Sequence, residues 1–204
     1  MIRIDLSSKK YMITFIIIGI NVIMYAYTAL LSQNVLAISD PVLEMYGQNN
    51  YMILNGGWKW YWQLFTAMFV HLDIVHVGGN MLFLLIFGLR AEELFSLPEY
   101  LLIYLGGGLA GNLLTLLVGP LLISAGASGA IFALFGAVTI YLRKVYGQSI
   151  LGGLMFAFLL FLISAGLGVN LLAHLGGLVV GVLAGFELAA SRRQRVTFHY
   201  QYQP

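Results

Sequence analysis

The sequence contains no cysteine, and it has few charged residues. Without a thiol, disulfide bonds, a cysteine nucleophile and cysteine-ligated zinc are all excluded. Lysine, arginine, aspartate and glutamate make up 9% of the 204 residues, whereas a soluble domain carries about 25%. The formal net charge of +2 is too small to indicate a nucleic-acid partner. A composition that is 60% hydrophobic predicts instead a chain that crosses a membrane several times.

Apolar stretches long enough to cross a bilayer are abundant. Six of them reach or approach the length of about 20 residues that a spanning helix needs. They are 11–31, 74–95, 99–118, 128–145, 149–167 and 170–190. We therefore expect an all-α, polytopic membrane protein, with six transmembrane helices in a single domain, 1–204. The first stretch is longer than the apolar core of a signal peptide, and we expect it to be retained as a span.

The basic residues indicate how these spans are oriented. If the N-terminus is cytoplasmic, all of them except Lys59 fall at cytoplasmic ends. Because cytoplasmic loops are enriched in lysine and arginine, we expect a multi-pass protein of the cell membrane with both termini, including the tail 191–204, in the cytoplasm. Segment 32–73 is then external. Its aromatic part, 57–66, is expected to lie among the lipids of the outer membrane interface.

Polar side chains gather at one end of three predicted spans. His76 and Asn80 lie in the first turns of the second span, Ser128 begins the fourth, and His174 lies about one turn into the sixth. These spans run in the same direction, so the four side chains are expected to share one depth near the outer leaflet. Polar groups in hydrocarbon are costly without partners, which makes each of them a candidate functional residue. A hydroxyl and an imidazole at one depth supply a nucleophile and a base.

The fourth predicted span is short. From Ser128 to Arg143 a helix is roughly 22 Å long at 1.5 Å per residue, whereas the hydrocarbon core is about 30 Å thick. Ser128 is therefore expected to lie below the outer surface, where hydrolysis would require a water-filled cavity. The preceding stretch, 119–127, is expected to be non-helical. Irregular backbone at that depth is tolerated only where it lines a cavity or is buried by protein.

Stripes of small residues predict which of these spans pack together. The sixth span has a small residue at every fourth position, and the fourth span has a matching series. The two series are Gly177, Gly181 and Gly185, and Gly129, Ala133 and Ala137. Such stripes let membrane helices approach closely. If the two faces meet, Ser128 and His174 come together at their outer ends.

These residues together resemble the motifs of a known family. The likeness is carried by Gly126-Ala127-Ser128-Gly129, by Ala173-His174-Leu175-Gly176-Gly177, and by the spacing of His71, His76 and Asn80. Over nearly the whole chain the sequence resembles the rhomboid intramembrane serine proteases, in the minimal six-helix form of bacteria and archaea. The resemblance implies a serine-type endopeptidase that cleaves transmembrane segments of other membrane proteins by a Ser–His dyad.

The resemblance also implies a role for each polar residue. Ser128 would be the catalytic nucleophile and His174 the general base. No acid lies beside His174 in the sixth span, which favours a dyad over a triad. His76 and Asn80 would stabilise the oxyanion. The backbone N–H of Ser128, at the positive end of its helix, would contribute as well.

Other positions are expected to support this site. Gly126 belongs to the serine motif. Phe132, where many members of the family have tyrosine, would stack on the His174 ring. His71 is expected to belong to a structural hydrogen-bond network, and the fifth span, 149–167, resembles the mobile gate of the family. Glu92, four residues after a glycine at the end of the second span, is expected to be structural.

Neither a metal nor a cofactor is expected. His71 and His76 are five residues apart and diverge around a helix, and no HExxH motif occurs. The glycine pattern at 106–111 matches a dinucleotide-binding motif by its letters, but it lies inside the third span with no strand before it, so it indicates packing.

Two other functions fit the membrane character of the chain. One is a catalytically inactive rhomboid-like protein that binds transmembrane clients, although such relatives usually lack the serine or the histidine, and both are present here. The other is a small-solute transporter, but the polar groups lie away from the midplane and no inverted repeat is visible.

Overall fold

Most of the described part of the chain is helical. The structure is a computed structural model that describes residues 12–147 and 170–193, with the single positions 149 and 152. Its helices are α1 (Met12–Ser32), α2 (Asp40–Tyr46), α3 (Asn50–Gly56), α4 (Gln63–Thr66), α5 (Ile74–Leu94), α6 (Leu97–Thr115), α7 (Ser128–Tyr146) and α8 (Leu171–Arg193). The described residues also form two short strands, β1 (Gln48–Asn49) and β2 (Ile123–Ser124). They contain two 3₁₀ turns as well, Trp58–Trp60 and Leu116–Val118.

Five of these helices, α1, α5, α6, α7 and α8, are long and apolar enough to cross a membrane. Each begins and ends within three residues of a predicted span once the 3₁₀ turn that follows α6 is included. The protein is therefore an all-α, multi-pass membrane bundle, as expected. The predicted fifth span, 149–167, and most of the tail 191–204 lie outside the described residues.

The start of α1 is held by the end of α5. The Glu92 carboxylate accepts hydrogen bonds from the backbone N–H groups of Ile13 and Thr14, both at 2.9 Å, and from the Thr14 hydroxyl. An acid placed there satisfies donors that the first turn of a helix leaves unpaired, and it complements the helix dipole. Gly88, one turn earlier, lets Thr14 approach, since a Cβ on Gly88 would lie 2.7 Å from the Thr14 methyl. The structural role expected of Glu92 is confirmed.

Helix α7 lies at the centre of the bundle, in contact with α5, α6 and α8. Every residue from 129 to 138 is buried. Its contact with α8 follows the two predicted stripes: a Cβ added to Gly177, Gly181 or Gly185 would collide with the carbonyl oxygen of Gly129, Ala133 or Ala137, respectively. The two backbones therefore touch along three successive turns, and the predicted pairing of these helices is confirmed.

The glycines of α6 also serve packing. A Cβ on Gly111 would collide with the carbonyl oxygen of Ala173 in α8, and one on Gly108 with the Met68 side chain. Gly106, by contrast, has open space where its Cβ would be. These contacts explain two of the three glycines in the dinucleotide-like pattern as close helix packing.

The segment between α1 and α5 folds back against the loop that precedes α7. Strand β1 pairs antiparallel with β2, with Gln48 opposite Ser124 and Asn49 opposite Ile123. As expected, residues 119–127 contain no helix. The aromatic part of the segment points outward: Trp58 is 84% exposed, and Tyr61 and Trp62 are exposed as well. Such side chains suit the amphipathic interface of a bilayer.

A polar contact joins helices at the end of the bundle that lies opposite the start of α7. Near the end of α8, the Arg192 guanidinium donates to a Glu99 carboxylate oxygen at 2.6 Å and to the Tyr141 hydroxyl at 3.1 Å. Glu99 belongs to the first turn of α6 and also accepts from the Ser96 backbone N–H. Helices α6 and α8 are therefore antiparallel and joined at this end.

The close α7–α8 contact makes a testable prediction for Gly181→Ala. The added methyl collides with the Ala133 carbonyl, and overpacking of this kind costs about 1–3 kcal/mol. We expect a lower midpoint of thermal unfolding in detergent. Gly106→Ala is the matched control, because it adds the same methyl to a membrane helix in open space. Equal midpoints for the two variants would contradict the contact.

Candidate active site

Ser128 begins α7, and a turn that requires glycine places it there. Gly126, two residues earlier, has φ +136°, a conformation that residues with a Cβ rarely adopt. Its N–H donates to the Ala67 carbonyl at 2.9 Å, which ties the turn to the segment after α4. Ala127 is fully buried beneath the turn. The chain therefore enters α7 along a fixed path, with the serine side chain at the first helical position.

The Ser128 hydroxyl contacts the His174 imidazole. Ser128 Oγ lies 2.9 Å from His174 Nε2, within hydrogen-bonding range. His174 belongs to the first turn of α8 and is 7% exposed. Gly177, three residues later, lies against Gly129, the neighbour of the serine. The close backbone approach of the two helices thus brings together the two side chains that the sequence analysis paired.

An aromatic ring lies against the His174 imidazole. Phe132, one turn after Ser128, stacks on it with ring centroids 4.4 Å apart and an interplanar angle of 16°. The expected stack is therefore present. His174 Nδ1 is buried and has no hydrogen-bond partner among the described residues. Within that part of the chain no carboxylate orients the ring as the acid of a triad does, and the stacked phenyl limits its rotation.

His76 lies beside the serine motif. A Cβ on Gly126 would lie 3.0 Å from His76 Nε2 and 3.9 Å from Ser128 Oγ, so the imidazole and the hydroxyl border the same point of the backbone. Asp73 caps α5 by accepting from the His76 N–H at 2.7 Å. The Leu72 N–H points at His76 Nδ1 over a long 3.5 Å. If Nδ1 accepts this hydrogen bond in the neutral ring, the proton is on Nε2, the nitrogen next to Gly126.

Asn80 is one turn further along α5, and its side chain bonds to its own helix. Its Nδ2 donates to the His76 carbonyl at 2.9 Å, and the residue is 7% exposed. Among the described residues it makes no hydrogen bond to Ser128 or His174. The structure therefore places His76 next to the Ser128 motif, whereas the Asn80 side chain bonds to His76 and not to Ser128 or His174.

The first turn of α7 presents free backbone donors. A helix leaves its first N–H groups without intrahelical partners, and Ala127, at the N-cap, offers no side chain to cap them. The positive end of the helix dipole lies at the same place. The amides that follow the turn can therefore bind negative charge that develops next to Ser128.

His71 packs tightly against the neighbouring histidine. It is fully buried, and its ring meets that of His76 edge to face with centroids 5.2 Å apart. Neither ring nitrogen has a hydrogen-bond partner in the described part of the chain. The expected hydrogen-bond network at this residue stays a prediction, and the contact that the structure gives the ring is packing against His76. No cluster of three or more metal-binding side chains occurs among the described residues.

The sequence patterns did not point to a set of amide and hydroxyl side chains that surrounds the site. The buried members are Gln48, Asn50, Gln63, Asn112 and Thr115, and the partly buried Asn170 joins them. Gln63, for example, donates to the carbonyls of Glu44 and Met45 at 2.9 Å and accepts from the Asn49 N–H at 3.0 Å. The signal available was polar residues at the ends of apolar spans, which are costly without partners.

Comparisons with known proteins agree with the motifs. Residues 59–191 match the sequence model of the Rhomboid domain. RHOMBOID-like protein 6, mitochondrial, of Arabidopsis thaliana is 35% identical over 174 residues, which cover 80% of this chain and 55% of that protein. YdcA of Bacillus subtilis is 30% identical over 195 residues, 92% of this chain and 94% of its own length.

A further relative is much longer than this chain. Rhomboid protease GluP of Bacillus subtilis is 31% identical over 191 residues, which cover 89% of this chain but 36% of GluP. The chain thus spans about half of the Arabidopsis protein and about a third of GluP, but nearly all of YdcA.

Burial of His71 predicts sensitivity to acid. Burial, together with the nearby His76, lowers the pKa of His71 to about 3, whereas histidine in an unfolded chain titrates near 6.5. The stability held by the neutral ring is therefore complete above pH 6.5 and is lost progressively toward pH 3. Between pH 7 and 5 this loss is about 2 kcal/mol. His71→Phe, which cannot titrate, should lose correspondingly less stability over that range.

The measurement is thermal unfolding in detergent at the two pH values. Gly106→Ala removes no titratable group and should follow the unmodified protein. An equal acid loss in His71→Phe would show that the ring is not held neutral by burial.

Proposed function

The chain belongs to the rhomboid family, and from that premise we propose that it is an intramembrane serine endopeptidase that cleaves transmembrane segments of other membrane proteins. The observation that carries the proposal is the 2.9 Å contact between Ser128 Oγ and His174 Nε2 at the start of two membrane helices. A nucleophile and a base within hydrogen-bonding distance form the arrangement that activates serine hydrolases.

In the proposed reaction, Ser128 Oγ attacks the carbonyl carbon of the scissile peptide while His174 Nε2 takes the hydroxyl proton. The same nitrogen then gives this proton to the leaving amine, and the peptide bond breaks to leave an acyl-enzyme. Water, deprotonated by the imidazole, finally releases the second product and restores the serine. The 2.9 Å separation is within the range that proton transfer between these atoms requires.

The negative oxygen of the tetrahedral intermediate needs donors that are already in place. We assign this role to His76 Nε2 and to the unpaired amides of the first turn of α7. Both border the turn at Gly126, next to the attacking oxygen. Such preorganised donors act most strongly where water is excluded. Asn80 would act through His76, since its side chain bonds to the His76 carbonyl.

We further place this end of the bundle at the outer side of the membrane. The distribution of lysine and arginine supports that orientation, and it puts the start of α5, α7 and α8 on the side opposite Arg143 and Lys144. A substrate helix would then be cut near the outer leaflet, at the depth of Ser128. The exposed aromatic side chains around Trp58 would lie at the same membrane face.

The first test is loss of the two reactive side chains. Ser128→Ala removes the nucleophile and His174→Ala the base, so each should abolish cleavage of a transmembrane substrate in detergent or liposomes, with unfolding midpoints close to that of the unmodified protein. Ser191→Ala is the matched control, because this serine lies at the far end of α8 and donates to its own helix. Turnover by purified Ser128→Ala would overturn the assignment.

A fluorophosphonate probe separates this proposal from an inactive, client-binding protein. An activated serine should be labelled in the unmodified protein and in Ser191→Ala, but not in Ser128→Ala. A protein that binds transmembrane clients without cutting them would give no Ser128-dependent labelling.

The oxyanion assignment makes its own prediction. His76→Ala removes one preorganised donor, and such a loss typically lowers kcat by about 100- to 1,000-fold. KM should change little, because the donor acts on charge that exists only after attack. Steady-state cleavage assays check both constants. A variant with unchanged kcat would exclude His76 from the oxyanion site.

A further inference from the structure

Asn170 occupies the position just before α8, and it closes the first turn of that helix. Its Oδ1 accepts from the Ala173 N–H at 3.2 Å, and its carbonyl accepts from the His174 N–H at 3.3 Å. Asparagine is among the best residues at such a cap. The backbone of His174 is thus bonded directly to Asn170.

The other end of the same side chain reaches two different elements. Asn170 Nδ2 donates to Thr115 Oγ1 at 2.6 Å, at the end of α6, and to Ser124 Oγ at 2.9 Å, in β2. An amide nitrogen has two hydrogens, and both are used. Thr115 is fully buried, and its own hydroxyl donates to the Gly111 carbonyl at 2.9 Å. Its lone pairs are thereby oriented to accept from Asn170.

The backbone of Thr115 is itself held in place by a buried amide side chain. The Asn50 side chain donates to the Thr115 carbonyl at 2.9 Å and to the Gly119 carbonyl at 2.8 Å. Gln48 in turn donates to Asn50 Oδ1 at 2.8 Å. The acceptor that Asn170 uses therefore belongs to a buried hydrogen-bonded set, and it cannot move without breaking several bonds.

The packing of α8 explains why such an anchor is needed. Its contact with α7 consists of small residues repeated every four positions. After a slide by one turn, Gly177 and Gly181 would still face small residues, Ala133 and Ala137, and only Gly185 would come opposite a large one, Tyr141. A slide of that kind moves His174 by about 5.4 Å along the axis. Near His174 the stripe therefore does not distinguish the two registers, whereas directional hydrogen bonds do. Apart from the contact between His174 and Ser128 itself, α8 is held among the described residues by Arg192 at one end and by Asn170 at the other.

We propose that Asn170 is a positioning residue, which locks the first turn of α8 to α6 and β2 and so holds the His174 imidazole against Ser128. This inference rests on the proposed function, in which His174 is the base. Asn170 does not contact the reacting atoms. It acts by defining where the base stands, and a misplacement of about 1 Å in such a site can cost about 100-fold in rate.

Two kinds of variant distinguish this role from simple helix capping. Asn170→Ser keeps a good cap but is too short to reach Thr115 and Ser124. The double variant Thr115→Val, Ser124→Ala leaves Asn170 and its cap intact but removes both partners. Under the positioning role both variants lose activity. Under a capping role both behave like the unmodified protein, and Asn170→Ala alone is impaired.

The readout is kcat per active site, with sites counted by complete fluorophosphonate labelling. We expect kcat to fall by about 10- to 100-fold in both variants, while KM stays within about threefold because substrate binding is not altered. Combining all three substitutions should lower kcat no further than the more impaired variant, since one interaction is removed from both sides. The double variant also serves as the test if Asn170→Ser fails to fold.

Glu99→Gln is the matched control. It removes the ionic part of the Arg192 contact at the opposite end of the same helix. Arg192 still donates to the Tyr141 hydroxyl and the Leu94 carbonyl, so that end stays in place. The variant should therefore lower the unfolding midpoint without changing kcat per labelled site. Unchanged kcat in Asn170→Ser and in the double variant would overturn the inference while leaving the dyad intact. Activity that survives in Ser128→Ala would instead overturn the proposed function.

Discussion

Direct contact between the backbones of α7 and α8 is the constraint on which the rest of this structure depends. In a membrane, burial of apolar side chains does not drive helices together, because lipid is equally apolar, and close packing and hydrogen bonds must do so. Gly177, Gly181 and Gly185 have no side chains to keep the helices apart, so the carbonyls of α7 lie directly against the backbone of α8 at these positions. Only at this separation can a side chain as short as Ser128 reach His174 from the neighbouring helix.

A contact made of small residues specifies the register of the two helices weakly, and hydrogen bonds of polar groups compensate for this. The small residues of α8 that face α7 leave little surface relief, so the register of α8 depends on hydrogen bonds at its two ends. At one end Arg192 bonds to Glu99, and at the other Asn170 bonds to Thr115 and Ser124. Buried amides recur along the segment that supports the loop before Ser128, including Gln48, Asn50 and Gln63. In a non-aqueous environment such groups must find partners, and those partners hold irregular backbone in one conformation at the depth of the proposed site.

The chemistry proposed for this site follows from three helix starts that meet at one end of the bundle. Helix α7 contributes the hydroxyl and its unpaired amides, α8 the imidazole and α5 His76, while Phe132 limits the rotation of the His174 ring. With no partner on His174 Nδ1 among the described residues, a stacked ring takes the orienting place that an acid has in a triad. The family to which the chain belongs, its membrane helices and this geometry all support hydrolysis of a peptide bond within the bilayer.

The sequence by itself determined the elements and the reactive side chains, because apolar length, small-residue spacing and polar residues in hydrocarbon are properties of local sequence. The described membrane helices, the α7–α8 pairing and the contact of Ser128 with His174 follow from such patterns. Only the tertiary structure decided the hydrogen-bond and packing partners of side chains, most of which lie far apart in the sequence. It packed His71 against His76, turned Asn80 back onto its own helix, and joined Asn170 to Thr115 and Ser124. A side-chain amide can bond in many directions, so its partner depends on which loops and helix ends the whole fold brings within 3 Å or so of it.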